Sequence, residues 1–207
     1  MRYDRCKKLF SKFEQLKDLK ILIAGVGGVG GYALDCLYRS GVKNITIIDY
    51  DRFDITNQNR QIGSEFTGEK KVEVLARLYK GTKPIDMKLT PKNIKTLDLN
   101  EYDVIIDAID DINAKIALIK NSPKIISSMG AAKRIDPTKI RIDSIWKTNT
   151  DPFAKKIRDR LKKEKLNIDF RVVYSIEKPI PCDMGSFVGV TGAFGFALCS
   201  EVLKEFV

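Results

Sequence analysis

Histidine is absent from the 207-residue chain. Its absence excludes imidazole general bases, histidine metal ligands and Ser-His-Asp triads. Any catalysis must therefore use carboxylates, lysine, arginine, backbone amides, or a metal ion that oxygen atoms bind. The sequence favours a reaction in which fixed charges and positioning lower the barrier.

Cysteine is scarce, and the four cysteines are Cys6, Cys36, Cys182 and Cys199. None of them belongs to a Cys-x-x-Cys pair, so the usual zinc-binding spacing is missing. Their positions indicate no disulfide framework, and we therefore expect a reducing, cytoplasmic location. Cys36 and Cys199 fall in helical patterns and are interpreted as core residues. Cys182 lies in a predicted loop and is the candidate for a reactive cysteine.

The sequence also lacks a long hydrophobic run. The first apolar stretch, residues 21–29, is short and glycine-rich and does not resemble a signal peptide. Residues 185–203 carry no charge before Glu201, but about 16 uncharged residues fall short of the roughly 20 that a spanning helix needs. We therefore expect a buried loop and helix there, and no membrane segment.

Positive charge is abundant. Lysine and arginine outnumber aspartate and glutamate by 37 to 27, which gives a formal net charge of +10. Such an excess attracts polyanions, but it is equally typical of a solvated, lysine-rich surface. With 43% hydrophobic and 31% charged residues, the chain has the composition of one folded domain of ordinary size.

Short apolar runs alternate with helical patterns over the first 130 residues. Strands are predicted at residues 20–24, 44–48, 85–89, 102–108 and 124–127, and helices at 29–38, 68–79 and 112–120. This alternation is typical of a Rossmann-like, doubly wound α/β fold with a mainly parallel sheet. After residue 130 the pattern changes, and we expect residues 140–145 and 170–174 to form an additional antiparallel layer.

A basic helix is predicted between those last two strands. Asp151 provides an N-cap and Pro152 a favourable first residue, and the helix extends to about residue 165. Phe153, Ile157 and Leu161 recur every four residues, whereas the other faces carry seven lysines and arginines. The basic faces are typical of a solvated surface helix and also of a helix that contacts RNA phosphates, and the sequence does not decide between the two.

A glycine-rich turn separates the first strand from the first long helix. Gly25, Gly27, Gly28 and Gly30 lie in Gly-Val-Gly-Gly-Val-Gly, which contains the pattern Gly-x-Gly-x-x-Gly. Such glycines let a phosphate approach backbone amides at a helix N-terminus. Asp49 ends the next predicted strand, where its carboxylate can accept hydrogen bonds from ribose hydroxyls. The pattern predicts a nucleotide site and, taken alone, would favour NAD.

The polar run after the second strand argues against a dehydrogenase. Asn57, Arg60 and Gln61 lie close together in it, and Lys71 follows after a short loop. Two cations that converge on one nucleotide suit a triphosphate, and NAD chemistry does not require them.

Two acidic residues end a later parallel strand. Asp107 and Asp110 lie at the carboxyl edge of the sheet, where ligands bind in such folds. A carboxylate in that place can bind Mg²⁺ together with phosphate oxygens, and helix capping is the alternative role for either residue.

Together these motifs resemble the adenylation domain of ubiquitin-activating-like enzymes, the ThiF/MoeB/HesA superfamily. The resemblance rests on the glycine turn, on Asp-x-Asp followed by Thr-Asn-x-x-Arg-Gln, and on the later lysine and aspartate. It implies that the protein binds ATP and adenylates a carboxylate. The residues that it implies for ATP are Gly25, Gly27, Gly28, Gly30, Asp49, Asp51, Asn57, Arg60, Gln61 and Lys71, with Asp49 on the ribose and with Asn57, Arg60 and Lys71 on the phosphates.

The same resemblance assigns the catalytic residues. Arg60, Lys71 and Asp110 act at the phosphates, and Asp110 binds Mg²⁺ near the reacting phosphorus. Residues 2–5, Arg-Tyr-Asp-Arg, resemble the N-terminal Arg-Tyr-x-Arg of the superfamily. This implies that Arg5 reaches into the ATP site of the partner subunit of a homodimer.

The second half of the chain resembles one branch of the superfamily, the bacterial tRNA threonylcarbamoyladenosine dehydratases. The matching segments are residues 135–140, 147–161 and 172–177. The resemblance implies ATP-dependent cyclisation of the threonylcarbamoyl group on adenosine 37 of tRNAs that read codons beginning with A. Residues 1–207 would then form one adenylation domain, in which 1–130 bind the nucleotide and 131–207 provide dimer and substrate contacts. The implied partners are tRNA, a second copy of the chain, and a sulfur-transfer protein as a further candidate.

The main alternative is adenylation of a ubiquitin-like sulfur-carrier protein at its C-terminus. Relatives with that activity commonly carry two Cys-x-x-Cys pairs, which this chain lacks. A non-enzymatic nucleotide-binding protein is disfavoured because Arg60, Lys71 and Asp110 are all present. An NAD oxidoreductase is the least favoured alternative, since it would leave Arg60 and Lys71 without a role.

Overall fold

The computed structural model describes residues 2–122 and 124–207 of the chain. The strands are β1 (Lys20–Ala24), β2 (Asn44–Asp49), β3 (Lys83–Asp86), β4 (Val104–Asp107), β5 (Ile125–Ser128), β6 (Ile140–Ser144) and β7 (Arg171–Ser175). The α-helices are α1 (Asp4–Leu9), α2 (Gly30–Ser40), α3 (Lys71–Leu78), α4 (Ile112–Asn121), α5 (Pro152–Lys163) and α6 (Val188–Leu203). The strands form one sheet in the order β3-β2-β1-β4-β5-β7-β6. The predicted mainly parallel α/β sheet is confirmed.

Helices cover both faces of the sheet, as a doubly wound fold requires. β1 pairs in parallel with β2 on one side and with β4 on the other, so the direction of winding reverses between these strands. α2, α3 and α6 pack around Ile21 and Ile23 on one face, while α4 and α5 pack around Leu22 on the other. Burial on both faces explains why the strands read as continuous apolar runs in the sequence.

The largest differences from the predicted bounds are in α3 and β3. α3 begins at Lys71 because Lys70 is extended and pairs with Arg52 in an isolated β-bridge. β3 ends at Asp86, and residues 87–89 leave the sheet to line a cavity. β3 contains Pro84, which is tolerated because the strand lies at the sheet edge.

The predicted antiparallel pair of strands is confirmed, but it lies at the end of the main sheet rather than in a separate layer. β7 is hydrogen-bonded in parallel to β5, and β6 lies beyond it at the edge, so both strands extend the main sheet. Val172 and Val173 point to opposite faces and are both fully buried. α5 covers one of these faces and α6 the other. The two strands β6 and β7 therefore widen the same sheet.

α6 packs closely against α2. A Cβ atom on Gly195 would lie 2.5 Å from the Val29 carbonyl oxygen, so glycine is needed for this approach. At the same contact, Cys36 of α2 and Cys199 of α6 form a disulfide bond, and Cys199 is buried as predicted. The expectation of no disulfide is wrong, because helix packing joins two cysteines that are 163 residues apart in sequence.

The start of α5 is fixed at the carboxyl edge of the sheet. The Asp151 carboxylate caps the helix by accepting a hydrogen bond from the Ala154 N–H, as predicted, and it also accepts one from the Gly130 N–H just after β5. Ile157 and Leu161 face the core. Among the helices of residues 2–122 and 124–207, none is long and apolar enough to cross a membrane.

Candidate functional site

A cavity of about 570 Å³ opens at the carboxyl edge of the sheet, between the ends of β1, β2 and β4. The winding of the fold reverses there, and α/β sheets bind their ligands at such a point. The cavity volume suits a ligand of nucleotide size. The predicted site residues that line it are Gly25, Gly27, Gly28, Asp49, Asp51, Asn57, Arg60, Gln61, Lys71 and Asp110. Gly30 lies behind the glycine turn, and Arg5 lies elsewhere.

The glycine turn depends on two contacts that a side chain would block. Gly25 has a φ of +84°, and a Cβ atom there would lie 2.8 Å from the Ala108 carbonyl oxygen. A Cβ atom on Gly30 would lie 1.9 Å from the Gly25 carbonyl oxygen. In the described part of the chain no side chain caps α2. The Gly31 N–H donates to the Gly27 carbonyl oxygen, and the other N–H groups at the start of the helix can serve an anion.

Replacing Gly30 with alanine tests this packing. The added methyl group collides with the Gly25 carbonyl group, and we expect a destabilisation of about 3 kcal/mol together with the loss of nucleotide binding. Gly31→Ala is the matched control, because its nearest atom would lie 3.6 Å away, an ordinary contact. Chemical denaturation and a nucleotide-induced thermal shift measure both effects. Equal stability of the two variants would contradict the packing argument.

Asp49 holds the turn from the neighbouring strand. Its Oδ2 accepts a hydrogen bond from the Val26 N–H at 2.9 Å, and its Oδ1 accepts one from the Asp51 N–H at 2.9 Å. The carboxylate also lines the cavity, where its remaining lone pairs can accept further hydrogen bonds. The structure thus gives Asp49 a role in shaping the turn that was not predicted, and its contact with ribose stays a prediction.

Two cations are fixed on the cavity wall. Lys71 begins α3, its side chain is buried, and its Nζ donates a hydrogen bond to Asp51 Oδ2 at 2.9 Å. Arg60 Nη1 donates to the Thr56 carbonyl oxygen at 2.9 Å and to Asn59 Oδ1 at 2.7 Å. Because protein contacts already hold both side chains, they can stabilise phosphate charge without first reorganising.

The Asp110 carboxylate is available to a metal ion. Asp111 caps α4 by accepting the Ala114 N–H, so the capping role considered for Asp110 belongs to its neighbour. Among the described residues, none forms a hydrogen bond or an ion pair with the Asp110 carboxylate. An exposed carboxylate beside a phosphate site fits Mg²⁺, which prefers one or two carboxylates together with phosphate oxygens.

The amide side chains of the polar run also face the cavity. The Gln61 amide oxygen is buried and accepts no hydrogen bond from residues 2–122 and 124–207. Asn57 Oδ1 accepts the Asp54 N–H at 3.3 Å, which leaves its amide NH₂ for the cavity. Because buried polar atoms are nearly always satisfied, the Gln61 oxygen indicates a site built for a polar ligand.

A buried polar cluster lies beneath the cavity and was not predicted. Lys115 Nζ donates hydrogen bonds to Asp107 Oδ2 at 2.7 Å, to Ser127 Oγ at 3.0 Å and to the Ser128 carbonyl oxygen at 3.0 Å. Ser127 Oγ donates to the same carboxylate at 2.6 Å, and the Ile109 N–H donates to its other oxygen at 3.1 Å. Desolvation lowers the pKa of Lys115, and the aspartate charge opposes that shift. The cluster ties β4, β5 and α4 together and fixes the turn that carries Asp110.

The second half of the chain contributes part of the cavity wall, which was also not predicted residue by residue. The contributing residues are Ala131, Ala132, Met184, Ser186 and Thr191. They are small or apolar and follow no nucleotide-binding motif, so the sequence contains no signal that would have identified them.

Two predicted residues lie away from the cavity. Arg5 is exposed on α1, and the adjacent Tyr3 hydroxyl accepts a hydrogen bond from Lys43 Nζ just before β2, at the opposite edge of the sheet. Arg5 is therefore placed where it cannot serve the cavity of its own chain. Cys182 is exposed and does not line the cavity, although Met184 does.

Comparison with known proteins agrees with this geometry. Residues 8–204 match the model of the ThiF family. The tRNA threonylcarbamoyladenosine dehydratase of Bacillus subtilis is 40% identical over 179 residues, which cover 81% of this chain and 70% of the relative. The enzyme of the same name from Escherichia coli is 34% identical over 230 residues, which cover 91% of this chain and 86% of the relative.

Solved structures give the same result. TcdA (CsdL) matches with a TM-score of 0.93 and 31% identity over 99% of this chain and 93% of that chain. TcdA of E. coli in complex with ATP matches with a TM-score of 0.91 and 33% identity over the same shares. Since the family model spans nearly the whole chain and the dehydratases align over most of their own length, this protein is a member of the ThiF family.

Proposed function

We propose that this protein is an ATP-dependent tRNA threonylcarbamoyladenosine dehydratase. The observation that carries the proposal is the cavity itself, in which a glycine turn, two fixed cations and an exposed carboxylate meet. The chain that builds this cavity aligns over 99% of its length with TcdA structures solved with ATP and with AMP.

The chemistry follows from the low reactivity of a free carboxylate. A carboxylate oxygen of the threonylcarbamoyl group attacks the α-phosphorus of ATP, pyrophosphate leaves, and an acyl-adenylate forms. A nucleophilic atom of the same threonylcarbamoyl group then attacks the acyl carbon, and AMP leaves with the former carboxylate oxygen. The nucleoside has then lost one water in net terms. Because the nucleophile belongs to the substrate, the protein needs neither histidine nor a reactive cysteine.

The residues of this chain position the triphosphate and stabilise its charge. The amides of the glycine turn bind phosphate oxygens, and Arg60 and Lys71 stabilise the negative charge on the α-phosphate oxygens and on the leaving pyrophosphate. Asp110 holds Mg²⁺, which when bound neutralises phosphate charge. Asp49 accepts hydrogen bonds from ribose, with its position fixed by the Val26 and Asp51 amides.

The deciding experiment measures AMP release from ATP with two tRNA samples, one that carries threonylcarbamoyladenosine and one unmodified. We expect AMP with the modified tRNA only, together with loss of one water from the nucleoside by mass spectrometry. A carboxylate labelled with ¹⁸O should transfer one label to AMP. If neither tRNA yields AMP, but a ubiquitin-like carrier ending in Gly-Gly supports ATP–pyrophosphate exchange, the sulfur-carrier alternative replaces this proposal. A sulfur-transfer protein would be a partner on that alternative.

We also propose that the active form is a homodimer, with residues 131–207 providing dimer and substrate contacts. The segment that leads into α6 and the outer side of α6 expose large apolar side chains. Met184 is 86% exposed, and Phe187 and Phe196 are each 46% exposed. Apolar side chains that remain uncovered on a helix and on the segment that leads into it are typical of a surface that a second copy covers.

Mixing two inactive variants tests the role of Arg5 in such a dimer. The Arg5→Ala subunit has an intact cavity, and the Lys71→Ala subunit has an intact Arg5. In a heterodimer, Arg5 of the second subunit can reach the cavity of the first, which gives one complete site. We expect each variant alone to be inactive and an equimolar mixture to recover about a quarter of wild-type activity, because half of the dimers are mixed and each has one working site. Unchanged activity of Arg5→Ala alone would remove this residue from the mechanism.

Binding of the tRNA is assigned to the basic helix α5. We place the protein in the cytoplasm because its proposed substrate is tRNA, and not because of its cysteines, two of which form a disulfide bond. The exposed cations of α5 are Lys155, Lys156, Arg160, Lys162 and Lys163. Arg158 is different, because it is half-buried and donates to Thr148 Oγ1. The exposed cations on one flank of a helix that starts beside the cavity suit the phosphate backbone of RNA.

A further inference from the structure

A second cavity, of about 310 Å³, lies between α4, α5 and the segment after β3. We call it the α4–α5 cleft, and its lining residues are Pro91, Lys95, Asn113, Ile116, Ala117, Lys120, Asn121, Arg160 and Glu164. Three of these side chains are cationic and one is a carboxylate. We infer that the α4–α5 cleft binds the phosphate backbone of the tRNA beside the nucleotide that reacts, an inference that rests on the proposed function.

The first argument is that two chain segments line both cavities. Residues 87–89 line the nucleotide cavity, and Pro91 and Lys95 of the same segment line the cleft. Asp110 and Asp111 line the nucleotide cavity, and α4 then lines the cleft from Asn113 in its first turn to its last turn. A polynucleotide that places one base at the first cavity therefore meets the cleft directly beside it.

The second argument is that the exposed cations of α5 lie on two separate flanks of the helix. Positions four and seven apart share a helix face, so Lys156, Arg160 and Lys163 form one flank and Lys155 and Lys162 form the other. Arg160 lines the cleft, which places the first flank beside α4 and turns the second away from it. The α4-facing flank and the cleft thus form one continuous basic surface.

The third argument is that a single carboxylate forms ion pairs with two of the three cations of the cleft. Glu164 forms ion pairs with both Lys120 and Arg160, whose hydrogen bonds lower its pKa. Both cations are partly exposed, so a phosphate group can exchange with the carboxylate. Lys95 lies exposed on the opposite wall. Glu164 therefore competes with RNA for this site.

The test measures the Kd of the modified tRNA for four purified variants over a range of salt concentrations. Lys95→Gln with Arg160→Gln should raise Kd about tenfold and reduce the slope of log Kd against log salt by about 1.5, since two phosphate contacts are lost. Glu164→Gln should lower Kd, because it releases two cations while keeping the shape of the side chain. The matched control, Lys155→Gln with Lys162→Gln, removes the same charge from the flank of α5 that does not line the cleft. Because the inference narrows the tRNA contact of α5 to its α4-facing flank, this control should leave Kd within about twofold of wild type. Lys80→Gln is a remote control. Lys80 follows α3, which packs on the opposite face of the sheet, and its substitution should not change Kd.

The outcomes separate this inference from the proposed function. If the wild type releases AMP with modified tRNA but the Lys95/Arg160 variant binds that tRNA normally, the cleft assignment is overturned and the enzyme activity stands. Equal losses in the cleft variant and the Lys155/Lys162 variant would show that net charge alone attracts the tRNA, which also overturns it. The KM for ATP should stay unchanged in all four variants, and thermal melting confirms that each one is folded.

Discussion

Replacing Lys71 with alanine is expected to lower kcat for AMP formation by about 1,000-fold, because the reaction loses a preorganised cation at the phosphates. Lys71 is the buried member of an ion pair in which Asp51 remains 46% exposed. Removal of the lysine therefore leaves a carboxylate that water can reach, and the folding cost should stay near 1 kcal/mol. The activity loss is thus far larger than the stability loss, and the two can be measured separately.

Asp110→Ala is measured in the same experiment because it removes the proposed metal ligand of the phosphate site. The carboxylate has no hydrogen-bond or ion-pair partner within the described residues, so its loss should not alter stability. We expect a similarly large fall in kcat and a higher Mg²⁺ concentration for half-maximal activity. Full activity at ordinary Mg²⁺ concentration would show that this carboxylate does not hold the metal.

Lys70→Ala is the matched control for Lys71→Ala. Its ammonium group forms exposed ion pairs with Glu73 and Asp86 and does not line the cavity. Exposed ion pairs contribute little to stability, and activity should remain close to that of the wild type. Steady-state kinetics with modified tRNA, together with calorimetric ATP binding, measure all three variants. If Lys70→Ala were as inactive as Lys71→Ala, AMP formation would depend on the structure of the start of α3 and not on the Lys71 ammonium group.

Much of the fold could be predicted because the first 130 residues contain strong local signals. Glycine turns, capping residues and apolar runs depend on neighbours in sequence, and for this reason β1, α2 and α4 were found close to their true bounds. The second half was harder, because the pairing of β7 with β5 is a contact between distant segments. The sequences of β6 and β7 look the same whether the two strands form a separate layer or widen an existing sheet.

The candidate site shows the same division between local and distant information. The residues of the glycine turn and the polar run were identified because they form motifs, and the structure gathers them around one cavity. Thr191 and Ala131 come from segments without a motif and reach the cavity only through the packing of α6 and the end of β5. The pair of Cys36 and Cys199 was missed for the same reason.

The buried pair of Lys115 and Asp107 leads to the largest expected effect on stability. Both side chains are fully inaccessible to solvent, and the lysine sits in the middle of a helix whose pattern would suit an apolar residue. Lys115→Met keeps the length and removes the charge, which leaves a buried aspartate without its counterion. We expect a loss of about 3–5 kcal/mol in the free energy of unfolding. Lys120→Met, one turn later on the same helix, loses only a partly exposed ion pair and should remain close to wild type.

A double-mutant cycle separates the cost of the orphaned charge from the loss of packing. Asp107→Asn in the Lys115→Met background removes the uncompensated charge while an amide oxygen can still accept the Ile109 N–H. The double variant should therefore be more stable than Lys115→Met alone, with a coupling energy of about 2 kcal/mol or more from urea denaturation. Additive effects of the two substitutions would show instead that the lysine acts through its aliphatic chain. Because the cluster fixes the turn that presents Asp110, recovery of stability without recovery of Mg²⁺-dependent AMP formation would further show that the charged pair sets the geometry of the site.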